Sequence, residues 1–437
     1  MTYKRYTKYK DSEISWIGKI PNQWECLDFR RLVNLQQGLQ IAQEERFYEG
    51  GINRFEYITI KYLSSKNKKI DREYIENPNK KVICNHDDVL LARTGATGKV
   101  VTGVIGVYHN NFFKINYDRK RVLKGFLVYY LMQENIQEHF KLIAGTTTIP
   151  DLNHGEFLST KIILPNLFEQ ERIIKFLDKK ILEIDSLIEE KEKLIKLLKE
   201  KREAIITEAV TKGVDKNVKM KNSGVEWIGD IPIHWEISRL KFTTDKPFMY
   251  GANESAELDD KSLPRYIRIT DIDEEGCLKK DTFKSMEYEK AKEFLLNDKD
   301  ILFARSGATV GKTYLYNLKD GSACFAGYLI KYTHNYKVIP EFIYYITKSS
   351  WYSCWINQNT IQATIQNVSA DKYKNLYIPL PDILEQGRIV DFLSKKCNEI
   401  KLVITDIKNQ INELRNYKKS LISEVVTGKI DVRDCKG

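Results

Sequence analysis

Two long stretches of this chain place an apolar residue at every third or fourth position. Elsewhere apolar residues come in short runs bounded by polar loops. From Glu169 to Thr211, Leu177, Ile184, Leu198 and Ile205 fall on a seven-residue spacing that also passes through Lys191, interleaved with Ile181, Ile188 and Ile195. From Glu385 to Thr427 the series returns as Leu393, Ile400, Ile407, Leu414 and Leu421, interleaved with Cys397, Ile404 and Ile411. Neither stretch contains proline, and Gly387, in the first turn, is the only glycine. Heptads sustained this long predict two coiled-coil helices, each about 65 Å at 1.5 Å per residue. Such a helix outruns a 150-residue globule of roughly 30 Å, so the two stripes are expected to close on each other. The plainer alternative is that each helix packs on its own globule. Each helix follows its globule in the same sense, and residues 212–226 are too few for a crossover. The expected pair is therefore antiparallel, an approximately two-fold dumbbell with a globule at each end.

The remaining residues read as mixed α+β. Short β-rich runs at 57–60, 88–92 and 161–164 read as strands, and so do those at 266–269, 300–304 and 376–378. The chain also carries an internal repeat. Trp16-Ile17-Gly18-Lys19-Ile20-Pro21-Asn22-Gln23-Trp24 returns as Trp227-Ile228-Gly229-Asp230-Ile231-Pro232-Ile233-His234-Trp235, and Ala92-Arg93-Thr94-Gly95-Ala96-Thr97 as Ala304-Arg305-Ser306-Gly307-Ala308-Thr309. Leu164-Pro165 with Glu169-Gln170 returns as Leu380-Pro381 with Glu385-Gln386. The order is the same in both halves, so the chain is a tandem duplication. Four segments are expected: a globule over 1–165, a helical spacer over 166–213, a second globule over 214–381 and a second spacer over 382–437. Residues 26–80 and 237–297 do not align with each other although their flanks do.

Composition narrows the class. The 437 residues carry 70 Lys+Arg against 60 Asp+Glu, a net charge of +10. The first helix is neutral and the second only slightly basic, so most of the excess lies in the globules, which are the expected polyanion-facing parts. Seven cysteines form no C-x-x-C pair, which argues against a zinc module and points to a reducing cytoplasm. There is no run of about 18 apolar residues, so no membrane span is expected.

Several motifs tempt and fail. Gly307 to Thr313 resembles a phosphate-binding loop but has three residues between its glycines where four are needed, and Gly95 to Val100 has two. Pro381-Asp382 with Glu399 and Lys401 imitates a nuclease pattern, yet Glu399 and Lys401 lie on the heptad helix. The six histidines lack metal spacing, so neither a metal site nor a catalytic residue is assigned. The four repeated tryptophans are expected to pack in the core, and the repeated Glu-Gln pairs to open the helices.

The duplicated W-I-G-x-I-P-x-x-W, A-R-[TS]-G-A-T and P-x-x-x-E-Q motifs, in that order, resemble the specificity subunit of type I restriction-modification systems. The resemblance runs from about Trp16 to Asp431. It implies that each globule is a target recognition domain for one half of a bipartite double-stranded DNA site, which the divergent interiors would make asymmetric. It implies that the helices act as a ruler and as the dock for two methyltransferase subunits, with motor-nuclease subunits joining for restriction. It also implies that the chain itself holds no cofactor, with S-adenosylmethionine, ATP and magnesium belonging to the partner subunits. The competing readings are a methyltransferase or nuclease acting alone, and a coiled-coil scaffold without a DNA role.

For DNA contact the candidates are polar side chains in the globules. Asn153, Gln362 and Asn367 carry amides that can bond adenine, and Thr147 lies in the same type of segment. Arg93 and Arg305 could pair with guanine or phosphate. Lys99 and Lys312, beside glycine turns, and Lys66, Lys68 and Lys69, in an unshared loop, are expected phosphate contacts.

Overall fold

The structure is a computed structural model, described over residues 3–435 apart from 62–71, 146–149, 256, 274–275 and 361–366. The chain forms two compact units, residues 1–191 with 409–437 and residues 192–408. The division passes through both long helices, Leu167–Lys212 and Ile383–Val426.

In the first unit the buried run Val89–Ala92 lies inside a four-stranded antiparallel sheet ordered Val33–Gln37, Phe112–Tyr117, Val89–Ala92, Val100–Thr102. All four residues of Val89–Ala92 are buried, because the strand is covered on both faces. A second sheet contains the parallel pair Arg54–Ile58 and Gly106–Tyr108. Strand Glu25–Asp28 pairs antiparallel with Lys161–Leu164, bringing the globule's beginning to its end.

The second unit repeats this plan. Met249–Tyr250, Leu329–Tyr332, Ile301–Ala304 and Thr313–Leu315 form the antiparallel sheet, Arg265–Ile267 and Ala323–Phe325 the parallel pair, and Glu236–Arg239 pairs with Tyr377–Leu380. The stretches that cannot be aligned by sequence therefore share a backbone plan. Gly38 and Gly251 mark it. A Cβ at Gly38 would collide with the carbonyl oxygens of Tyr108 and His109, and at Gly251 with those of Phe325 and Ala326. The following residues make matching bonds, Leu39 N to Tyr108 O and Ala252 N to Phe325 O, both 2.9 Å.

The helices begin on side-chain caps. The Oδ1 atoms of Asn166 and Asp382 accept from the backbone N–H of Glu169 and Glu385, both at 2.9 Å. That accounts for Asp382 in the nuclease-like string. The Glu-Gln pairs do more than open the helices. Gln170 accepts from Leu123 N and donates to Arg121 O, and Gln386 accepts from Ile339 N and donates to Lys337 O. Glu169 accepts from Trp24 Nε1 at 2.7 Å, and Glu385 is bonded to His234 Nε2 at 2.8 Å. Trp24 and Trp235 are fully buried. Each packs beside a glycine that ends a long helix with positive φ, Gly428 for Trp24 and Gly213 for Trp235. Trp24 thus seals a helix start and a helix end, while in the second unit His234 takes the helix start and Trp235 the helix end.

Within each unit one half of each long helix faces a half of the other. In the first, Lys418 pairs with Asp185 at 2.7 Å and Lys191 donates to Gln410 at 2.5 Å, so rising numbers meet falling ones and the halves are antiparallel. Leu177, Ile184 and Leu421 join an apolar cluster that also holds Trp24 and Phe126, so this stripe closes on its partner helix and on the globule at once. In the second unit Leu393 joins Ile206 and Trp235 in the corresponding cluster. Ile400 and Ile407 are buried, while Leu198, Ile205 and Leu414 are half-buried.

Candidate nucleic-acid interface

Two repeated motifs far apart in sequence meet at one place in each unit. The strand Val89–Ala92 ends at Arg93, whose backbone N–H donates to Asn111 O at 2.8 Å and whose carbonyl accepts from Leu152 N at 3.0 Å. The strand Ile301–Ala304 ends at Arg305, which makes the same bonds with Tyr328 O at 3.0 Å and Val368 N at 2.8 Å. The glycine turn after the strand and the polar segment before the last strand are thereby held side by side. Thr97 Oγ1 closes the first copy by donating to Pro150 O at 3.1 Å, and a Ser306–Asn367 bridge closes the second. Gly95, Gly98, Gly307 and Gly311 all have positive φ. Each turn leads into an antiparallel return strand rather than the α-helix that follows a phosphate-binding loop.

The two arginines differ in charge state of their surroundings. Arg93 is clamped by Asp151, with Nε to Oδ1 at 2.7 Å and Nη2 to Oδ2, and it lies over Phe113 at 5.5 Å. The repeat places Asn367 where the first copy has Asp151. Arg305 accordingly has no carboxylate partner among the described residues. It lies over the Tyr250 ring at 4.7 Å, and its Nε is buried without an acceptor among the described residues. Tyr250 is fixed in turn by Ala370 N, which donates to its Oη at 3.1 Å. Tyr328, beside Arg305, is 66% exposed. The first copy therefore presents a neutralised arginine and the second an arginine over a tyrosine ring, with no carboxylate partner among the described residues.

The other candidates scatter. Asn153 Oδ1 caps the short helix His154–Ser159 by accepting from Glu156 N at 2.9 Å. Asn367 is exposed at the Arg305 site, and Lys99 is exposed beside Gly98. Lys312 lines a cavity against the helix segments of its unit. Lys66, Lys68, Lys69, Thr147 and Gln362 lie outside the described residues. Tyr250, Tyr328 and Asp151 were not predicted from sequence. Asp151 carries a visible signal, since it stands opposite Asn367 in the repeat, but the tyrosines carry none.

Comparison with known proteins agrees with this architecture. The family model described as "Type I restriction modification DNA specificity domain" matches twice, at residues 21–197 and 235–413. The chain is 24% identical over 443 residues to the type I restriction enzyme MjaVIII specificity subunit of Methanocaldococcus jannaschii, covering 95% of each. It is 24% identical over 302 residues to the EcoBI specificity subunit of Escherichia coli, covering 65% of this chain and 62% of that one. Its fold is shared with a solved chain from work described as "Structural basis underlying complex assembly and conformational transition of the type I R-M system", with TM-score 0.66, 16% identity and coverage of 94% and 99%. With two copies of the domain spanning most of its length, the chain belongs to the type I restriction-modification DNA specificity family, as a tandem two-domain specificity subunit.

Proposed function

We propose that this chain is the non-catalytic reader of an asymmetric, bipartite double-stranded DNA site, with one half-site assigned to each globule. The reading is carried by the repeated arginine, glycine turn and polar segment at one place in each globule, with different chemistry in the two copies. A shared backbone plan with Asp151 in one copy and Asn367 in the other suits two readers of unlike half-sites. The helices dock two methyltransferase subunits, and motor-nuclease subunits join the assembly for restriction. Exposed apolar side chains on the helices, Leu182 at 72%, Leu197 at 60% and Leu402 at 63%, support a protein-binding role. S-adenosylmethionine, ATP and magnesium are assigned to the partner subunits.

The test is exchange of residues 26–160 for the same segment of another specificity subunit, followed by sequencing of methylated DNA from cells that also express the cognate methyltransferase. One half of the target should change and the other persist. Loss of both half-site preferences in a folded complex would refute the assignment of one reader to each globule.

A further inference from the structure

The second unit contains a cavity of about 690 Å³ between its globule and its two helix segments. Its walls are cationic, with Lys196, Lys199, Arg202, Lys312, Lys348 and Lys401. Against them stand Glu200, which is already paired with Lys196 at 3.8 Å, and Glu203. Arg202, Lys312 and Lys401 have no ion-pair partner among the described residues.

The repeat shows why this is unusual. At the 216-residue offset that aligns the helices, Asp185 corresponds to Lys401 and Lys418 to Arg202. The first unit thus has a cross-helix salt bridge, Lys418–Asp185 at 2.7 Å. The second has two cations in its place. The same offset puts Met132 opposite Lys348, Asp178 opposite Ser394 and Glu134 opposite Ser350. Two carboxylates that engage Tyr129 and Lys419 in the first unit are therefore absent from the second.

Lys348 is held on the cavity wall rather than let out into water. Its Nζ donates to Thr313 O at 3.1 Å and lies 4.5 Å from the centre of the Tyr344 ring. The backbone at Gly276 comes close enough that a Cβ there would collide with Tyr344 Oη. Burial, then Arg202, then Lys312 push the Lys348 ammonium down to about 8, against smaller opposing effects of Cys277 and Asp273. Like charges gathered in a partly closed space repel one another, and a multivalent anion removes that repulsion. Ile206, Ile356, Tyr344 and Tyr352 supply the apolar share of the wall.

We propose that this cavity binds a multiply charged phosphate-bearing anion, held between Arg202 and Lys401 on the helix segments and Lys312 and Lys348 on the globule. The site stands on the second unit's own residues and does not rest on the DNA-reading role. The probe is sodium pyrophosphate, added to the full chain and compared with sodium chloride at matched ionic strength. Binding is followed by calorimetry and by the midpoint of thermal unfolding. Pyrophosphate should raise the midpoint where chloride does not. Lys401→Asp rebuilds the arrangement of the first unit, so it should keep or raise the basal midpoint while weakening pyrophosphate by about tenfold or more. Lys348→Met, which copies Met132, should weaken it independently, and Asp185→Asn in the first unit should leave it unchanged. Equal stabilisation by chloride, or full pyrophosphate binding by both cavity variants, would overturn the proposal. So would weaker duplex binding by Lys401→Asp in the absence of any pyrophosphate response, which would give the cluster to the DNA backbone.

Discussion

Arg93 and Arg305 end equivalent strands, yet a single neighbouring side chain separates their expected roles. Asp151 occupies the guanidinium edge of Arg93, whereas Asn367, at the matching place, leaves Arg305 unneutralised. In the complex with methyltransferase subunits, Arg305→Ala should weaken duplex binding by about 1–3 kcal/mol, and Arg93→Ala should act mainly on folding. Asp151→Asn should release Arg93 and tighten non-specific binding. Titrations at several salt concentrations check all three, since each added phosphate contact steepens the log–log salt slope by about 0.9. Equal losses for the two alanine variants would contradict the distinction. The repeated tryptophans offer a similar contrast. Trp24 Nε1 donates to the buried Glu169, while Trp235 Nε1 has no hydrogen-bond partner among the described residues. Trp24→Phe takes the donor from Glu169 Oε2, while Gln23 still donates to Oε1 at 3.1 Å, and should cost about 1–3 kcal/mol beyond the packing loss that it shares with Trp235→Phe. Denaturant unfolding of the two variants measures the difference.

At the scale of elements, the long helices were the most legible part of the chain. Their heptads need no tertiary information, and their caps and stopping glycines stand in the sequence. The repeated strand-end motifs were legible as well, because each comprises four apolar residues followed by a glycine turn. The divergent interiors were not. Their strands are two to five residues long, and their pairing is fixed by contacts such as Gly38 against Tyr108 that leave no periodic trace. For the same reason the meeting of Arg305 with Tyr250 and Tyr328 could not be foreseen, since it depends on three separate strands and turns. The helix stripe yields its own prediction. One residue inserted between Ile184 and Leu198 rotates the later apolar positions by about 100° and misaligns them with the facing helix half. Target-specific methylation should be lost although each globule still folds. Retention of full activity by that variant would show that the heptad register is not needed.

At the scale of the whole molecule, duplication implies a count of partners. Each unit offers the equivalent helix halves, so native mass measurement of the saturated assembly should give one copy of this chain with two methyltransferase subunits. A single bound subunit at saturation would exclude equivalence of the two docks. The chain also meets itself in the first unit. Lys4 O accepts from Asp431 N at 2.9 Å, Tyr9 Oη donates to Gly428 O at 3.2 Å, and Lys429 donates to Ile17 O at 2.8 Å. In the second unit the matching hairpin, Met220–Asn222 with Asp230–Pro232, follows its helix through continuous backbone from Gly213. In the first unit, contacts between residues 4–17 and 428–431 thus stand where the second unit has a peptide link. Tethering residues 3 and 435 through a short linker and cutting between 214 and 219 should yield a permuted chain with the same unfolding midpoint and the same DNA target.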